Sequence, residues 1–220
     1  MAEEKKNEKF MDDKKLVDVT PEELMRECLN NTSELKDLDC ISEKYDMIHR
    51  VLLLNDIDEA VSNAIAHLIR LYNFADKDIP IEEREPIKIY IDSDGGSLTG
   101  ALLIADSIKL SKTPVYTINM GTAYSGGLLV FICGNRRFAY PSSSFLFHEG
   151  STTVGHIDAG KFKNYSSYYE RLIDRMRNYI LEKTKVDEAL YKEKSRDDWW
   201  FFVDEAIEYG FCDEIAEEFI

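Results

Sequence analysis

Ser125 and His148 are the two residues of this 220-residue sequence whose types and settings could do chemistry together. Ser125 lies in GTAYSGG, just ahead of Gly126 and Gly127, and His148 ends the apolar run SFLFH. A serine attacks an amide only with three aids: a base for its proton, a group that orients the base, and backbone donors for the developing oxyanion. Two glycines after a serine at a strand-to-helix turn permit tight geometry and leave N–H groups free to act as such donors. The same serine also reads as a plain helix N-cap, because serine is among the residues preferred there. Gly95-Gly96, directly after the alternating segment IKIYI, lies at the carboxyl end of a strand, where α/β sheets bind ligands. That pair offers a second oxyanion donor, and equally a phosphate-binding turn or an ordinary βα loop. The other histidines, His49, His67 and His156, have no comparable setting, and His67 reads as a helix-surface residue. The orienting carboxylate cannot be picked by pattern from 42 acids, although Asp197-Asp198 beside Trp199-Trp200 is distinctive and predicts a partly buried carboxylate.

The elements that would position these groups follow from periodicity. Val51–Leu54 reads as a strand, followed by a helix with Val61, Ala64, Ile65, Leu68 and Leu71 at helical spacing after Asp56 or Asp58 as cap. Residues 76–85 carry Pro80, end at Pro86 and read as a loop before the strand IKIYI. Ala101, Leu102, Ala105 and Ile108 mark the next helix, which ends before Pro114, and Val115–Asn119 is a further strand. A third unit places Ser125 at a turn, a short apolar helix over Gly126–Cys133, and strands near Arg137–Tyr140 and Ser144–His148. Repeated βα units imply a mainly parallel sheet with helices outside it. If the strands run parallel, His148 ends on the same edge as Ser125. A long helix then carries Phe162, Tyr165, Tyr169, Leu172, Ile173, Met176 and Ile180 on one face, which needs a partner surface.

Composition excludes several classes. A net charge of −15 disfavours nucleic acid, whose phosphates reward Lys and Arg. Cys28, Cys40, Cys133 and Cys212 lack CxxC spacing, so neither a zinc site nor a disulfide framework is expected, and reduced thiols fit a cytoplasmic location. The N-terminus is charged where a secretory signal would be apolar, and the apolar run Leu128–Cys133 is far too short to span a bilayer. Residues 1–40, dense in Glu, Asp and Lys with one short helix opening at Thr20-Pro21, read as a peripheral arm on a single domain over 41–220.

Taken in order, IDSDGG, GTAYSGG, FLFHEG and DEAIEYGFCDEI resemble the proteolytic subunit of the Clp protease, from about His49 to the C-terminus. The resemblance implies the α/β ClpP/crotonase-like fold, with repeated ββα/βα units, outer helices and a protruding long handle helix. It implies Ser125 as nucleophile, His148 as base and Asp198 as orienter, the last by an ungapped count back from Glu205-Ala206, with Asp197 if that count slips by one. It assigns the oxyanion-hole N–H groups to Gly96 and Gly126, and matches STTVGHIDAG to the strand and long helix through which the family binds extended peptides and stacks two rings. The implied function is a cytoplasmic serine endopeptidase acting on unfolded proteins or peptides through an acyl-enzyme. It would work in homo-oligomeric stacked rings without metal or cofactor. ATP would be spent by a partner AAA+ unfoldase, since the chain has no GxxxxGK[ST] motif. A catalytically inactive Clp-like scaffold and a crotonase-type acyl-CoA enzyme are the rival classes. A serine-lysine peptidase, with Lys161 or Lys163 as base, is a further relative to exclude. The sequence departs from the family at Asp94, where proline is usual, at Glu149-Gly150, where Gln-Pro is common, and in a longer loop before Pro86. Asp94 and Glu149 add negative charge near the expected cleft, a change that bears on peptide preference. The acidic arm stands where the family has a short axial-loop segment.

Overall fold

A computed structural model describes residues 42, 45–152, 155–156 and 158–220. The chain divides into two units, Met1–His49 and Arg50–Ile220. The arm expected over 1–40 lies outside the described residues, and the second unit carries the sheet and every candidate site residue.

Its elements run β1 (Val51–Leu54), α1 (Glu59–Ala75), a 3₁₀ turn (Ile81–Glu83), β2 (Ile87–Ser93), α2 (Leu98–Leu110), β3 (Val115–Tyr124) and α3 (Gly126–Ile132). They continue with β4 (Arg136–Ala139), β5 (Ser144–Phe147), α4 (Ala159–Lys183), α5 (Glu188–Lys194), β6 (Trp199–Phe202), α6 (Val203–Glu208) and β7 (Glu214–Ile215). The strands form one sheet in the order β1-β2-β3-β4-β7, with β5 leaving β3 to pair with β6. Every pairing is parallel except β5 with β6. The expected mainly parallel α/β architecture is therefore present.

Local chemistry accounts for the elements closest to the site. Asp58 caps α1, its carboxylate accepting from Val61 N at 2.7 Å, so Asp58 and not Asp56 starts the helix. The core face of α1 is Ser62, Ile65 and Ile69, while Ala64 and Leu71 point outward, which corrects the expected stripe. Ser62 takes an inner position because α2 approaches closely at Gly100, where a Cβ would lie 3.1 Å from Ser62 Oγ. The loop over 76–85 holds the 3₁₀ turn at 81–83.

The larger correction concerns β3, which continues to Tyr124 instead of ending at Asn119. It survives that far by changing neighbours: Tyr116–Asn119 pair with β4, and Thr122–Tyr124 pair with β5. Between the two stretches the register against β2 shifts, and Asp92 closes the irregularity by accepting from both Thr122 N and Thr122 Oγ1 at 3.0 Å. The sheet therefore delivers Ser125 directly from a strand.

Helix α4 starts after Asp158, whose carboxylate accepts from Lys161 N at 2.9 Å. Only its second half reaches the core, through Met176, Tyr179 and Ile180, while Phe162, Tyr165 and Tyr168 in the first half are exposed. The expected single apolar face is thus split between packing and projection. Among the described residues of 151–158 no strand forms, in contrast to the strand implied there by resemblance. A Cβ on Gly155 would meet open space, and a strand needs a partner for its N–H and C=O groups.

Candidate active site

Ser125 sits at the junction of β3 and α3 with φ 52° and ψ −116°. A non-glycine residue at positive φ carries strain on the order of 1–3 kcal/mol, so the surroundings must impose it. They do so from two sides: Ser125 N–H donates to Leu146 C=O of β5 at 2.9 Å, and all seven residues of α3 are buried. Although Ser125 occupies the N-cap position, its side chain makes no capping hydrogen bond. Capping therefore does not account for the serine.

Gly95 and Gly96 have φ of 101° and 137°, and both positions exclude a side chain. A Cβ on Gly95 would lie 2.9 Å from Ser125 Cβ, and one on Gly96 would overlap the Ile57 carbonyl. The pair is locked by a short parallel bridge in which Ile57 N donates to Gly95 O at 2.8 Å and Ser97 N donates to Ile57 O at 2.7 Å. These bonds use the flanking groups on one side, so the Gly96 N–H is turned to the other. That other side is the cleft containing Ser125. A Cβ on Gly126 would lie 3.7 Å from Gly96 N, which places the two candidate oxyanion amides side by side. Neither amide has a protein acceptor among the described residues.

The parallel register Tyr124↔Leu146 brings the end of β5 beside the end of β3, and His148 follows two residues later. The antiparallel register Phe147↔Trp199, carried one step further, sets Asp198 across from His148. His148 Nδ1 stands 3.6 Å from Asp198 Oδ1, within ion-pair range and beyond hydrogen-bond length. Asp197 makes no ion pair with His148. The Asp198 side chain is 58% exposed, against the expected partial burial, because alternation along β6 turns Trp199 inward and leaves its preceding neighbour at the open edge.

One cleft of about 430 Å³ is lined by Gly96, Ser125, Gly126 and His148 together. Ser125 Oγ and the His148 ring share it without a hydrogen bond to each other, a looseness common where no substrate is bound. The floor is shaped by Leu98, Leu146, Leu172 and Met176, and Tyr165, Tyr168 and Tyr169 of α4 supply a wall. Tyr165 Oη and Thr152 Oγ1 are 2.9 Å apart, tying α4 to the segment after His148. Burial, helped by the neighbouring Tyr165, raises the Tyr169 phenol above its ordinary pKa and so favours the neutral form. Asp94 and Glu149 also line the cleft, whereas Lys161 and Lys163 do not. Lys161 instead pairs with Asp158 at 3.2 Å.

The tyrosine wall is not legible in the sequence as part of a site: Tyr165 and Tyr169 read as part of a helical stripe that needs a packing partner, and Tyr168 lies outside that stripe. No group of three His, Cys, Asp or Glu able to hold a metal occurs among the described residues, and none of their helices is long and apolar enough to cross a membrane. The cleft itself offers a half-buried hydroxyl, an imidazole, two N–H donors without a protein acceptor among the described residues, and carboxylates.

Comparison with known proteins bears on the family and the fold. The family model described as Clp protease matches residues 37–219. An ATP-dependent Clp protease proteolytic subunit 2 from Treponema denticola is 28% identical over 196 residues, covering 86% of this chain and 94% of that protein. An ATP-dependent Clp protease proteolytic subunit 1 from Streptomyces coelicolor is 33% identical over 174 residues, covering 76% and 74%. Among solved structures, a single-residue mutant of ClpP1 from Listeria monocytogenes superposes with a TM-score of 0.67 at 24% identity, covering 81% of this chain and 96% of that one.

Proposed function

The chain belongs to the Clp protease family and is a peptidase, and we propose that it is a serine endopeptidase cutting unfolded polypeptide through an acyl-enzyme at the cleft of Ser125. In this reading Ser125 Oγ attacks the scissile carbonyl while His148 takes its proton, and the Gly96 and Gly126 N–H groups hold the oxyanion. His148 then returns the proton to the departing amine, and a water, deprotonated by the same ring, hydrolyses the ester. Asp198 orients His148 and stabilises its charged form during both steps. The observation that carries the reading is the convergence of the two free amides, the strained serine and the histidine on one cleft, with Asp198 3.6 Å from Nδ1 of the ring.

The relatives are ATP-dependent proteases, which supports an ATP-dependent partnership here. We extend them to this chain as a homo-oligomeric assembly of stacked rings in the cytoplasm, with a chamber fed by an AAA+ unfoldase. The decisive experiment is fluorophosphonate labelling with peptide cleavage on size-fractionated full-length protein. Labelling and hydrolysis should coincide in a large assembly and both vanish in Ser125→Ala. Undiminished labelling of that variant would remove Ser125 from the mechanism.

A second reading, a ring subunit without turnover, is favoured by the absent Ser125–His148 hydrogen bond and the 3.6 Å spacing of His148 from Asp198. Intact assembly with neither labelling nor cleavage, alone and with an unfoldase, would select it.

A further inference from the structure

The peptidase reading leaves open what side chain the cleft prefers, and three observations bear on it. The lining holds two carboxylates, Asp94 and Glu149, and no lysine or arginine. Neither carboxylate has an ion-pair partner among the described residues, although the protein forms such pairs freely elsewhere, as Lys109 with Glu182 at 2.9 Å and Arg50 with Asp76 at 2.6 Å. Third, the carboxylates share the cleft with the aromatic wall, in which Tyr165 and Tyr169 lie nearly parallel with centroids 6.5 Å apart.

An acidic cleft backed by aromatic and aliphatic surface matches one class of side chain. Lysine and arginine carry an apolar stem with a cationic head, so the stem covers Leu172, Met176 and the tyrosine rings while the head seeks a carboxylate. The tyrosine faces add attraction for a cation, and a neutral apolar side chain would gain the wall but leave both carboxylates unpaired. An acidic side chain would meet like charge.

We infer that Asp94 and Glu149 are specificity-determining residues that select a cationic residue, lysine or arginine, close to the scissile bond of the bound polypeptide. The inference rests on the peptidase reading for the meaning of the cleft, but its test does not require turnover.

Full-length Ser125→Ala protein is titrated with fluorescein-labelled peptides that differ at one stepped position in carrying lysine, norleucine or glutamate. Norleucine keeps the stem and drops the charge. At one position lysine should bind about tenfold tighter than norleucine at low salt, the sum of modest exposed charge pairs and a cation–π contact. At roughly 0.5 M salt the ratio should shrink. It should collapse in the background Asp94→Asn/Glu149→Gln, and survive in Glu82→Gln/Glu83→Gln, which removes the same net charge from exposed positions outside the cleft. Should the double variant fold poorly, Glu149→Lys alone should shift the preference towards the glutamate peptide.

Equal binding of lysine and norleucine peptides at every position, no binding of any peptide, or equal loss in the two double variants would overturn the inference. Fluorophosphonate labelling of the wild-type protein is read in parallel. Failure to label there counts against the peptidase reading alone, since the binding ratio decides the charge preference by itself.

Discussion

The two ends of the cleft are built on different terms. At the serine end, backbone does the positioning: Ser125 is strained into place by a strand paired on both sides and a helix that is wholly buried, and Gly96 is fixed by its bridge to Ile57. At the histidine end, side chains do it: His148 and Asp198 project from the last turns of the β5–β6 edge, partly exposed and 3.6 Å apart. Nucleophile and oxyanion donors are thus preorganised by the core, and the proton-handling pair is left adjustable. Preorganised donors cost no reorganisation during reaction, whereas a loose pair must tighten when substrate binds.

The largest effect expected is at the rigid end. Ser125→Ala should lower peptide hydrolysis by roughly 10⁴-fold or more, as for nucleophiles in other triads, while leaving the melting temperature unchanged or slightly changed. Measuring both separates chemistry from folding, and a variant that retained activity would break the contrast at its strongest point. His148→Ala should lose a similar, roughly 10⁴-fold, factor in hydrolysis. Lys161→Ala and Lys163→Ala, both outside the cleft, should fall within about twofold of wild type, so a large loss in either would transfer the base to a lysine.

Gly96→Ala should follow, at up to about 10²- to 10³-fold in kcat, the range for loss of one oxyanion donor, because the clash of the new Cβ with Ile57 displaces the Gly96 N–H from the cleft. Unlike the changes above it should also destabilise the fold by about 1–3 kcal/mol, because the new Cβ meets the Ile57 carbonyl and the residue keeps a φ of 137°. A denaturant midpoint beside the kinetic constants checks the pairing. Activity lost without stability lost would show that Gly96 is not locked as firmly as the bridge implies.

The same contrast explains what could be read from the sequence. Ser125 at a turn, the alternation of IKIYI and the apolar helix after Gly126 are local signals, in which neighbouring residues decide the outcome. What escaped were consequences of pairing between distant segments. That β3 runs on to Tyr124 depends on β5 taking over from β4, and that Asp198 stands open at an edge depends on the register of β6. Ala64 and Leu71 turned outward because Gly100 lets α2 approach at Ser62, a contact that no pattern within α1 announces. Asp198 itself was reachable by counting within the resembling motif, since 42 acids gave pattern alone no way to choose. Tyr165, Tyr168 and Tyr169 keep ordinary helical spacing whether they meet a core or a cleft.

The smallest effect, and the one that most sharpens the comparison, belongs to the orienting carboxylate. In a buried triad, exchanging the aspartate for asparagine costs on the order of 10⁴-fold, because the wrong imidazole tautomer is held. Asp198 is exposed and lies beyond hydrogen-bond distance, so water competes for His148 Nδ1 and the carboxylate's hold on the tautomer is weaker. Asp198→Asn should therefore lower kcat by only about 10²-fold, and Asp197→Asn by less than about twofold. The pair is best measured twice, on the isolated chain and on the assembled fraction from size separation. If assembly draws Asp198 onto His148, the Asp198→Asn deficit should grow towards the buried-triad value in the assembled fraction alone. An equal deficit in both fractions would mean that the histidine end is already as fixed as the serine end, and that the 3.6 Å gap has no part in control.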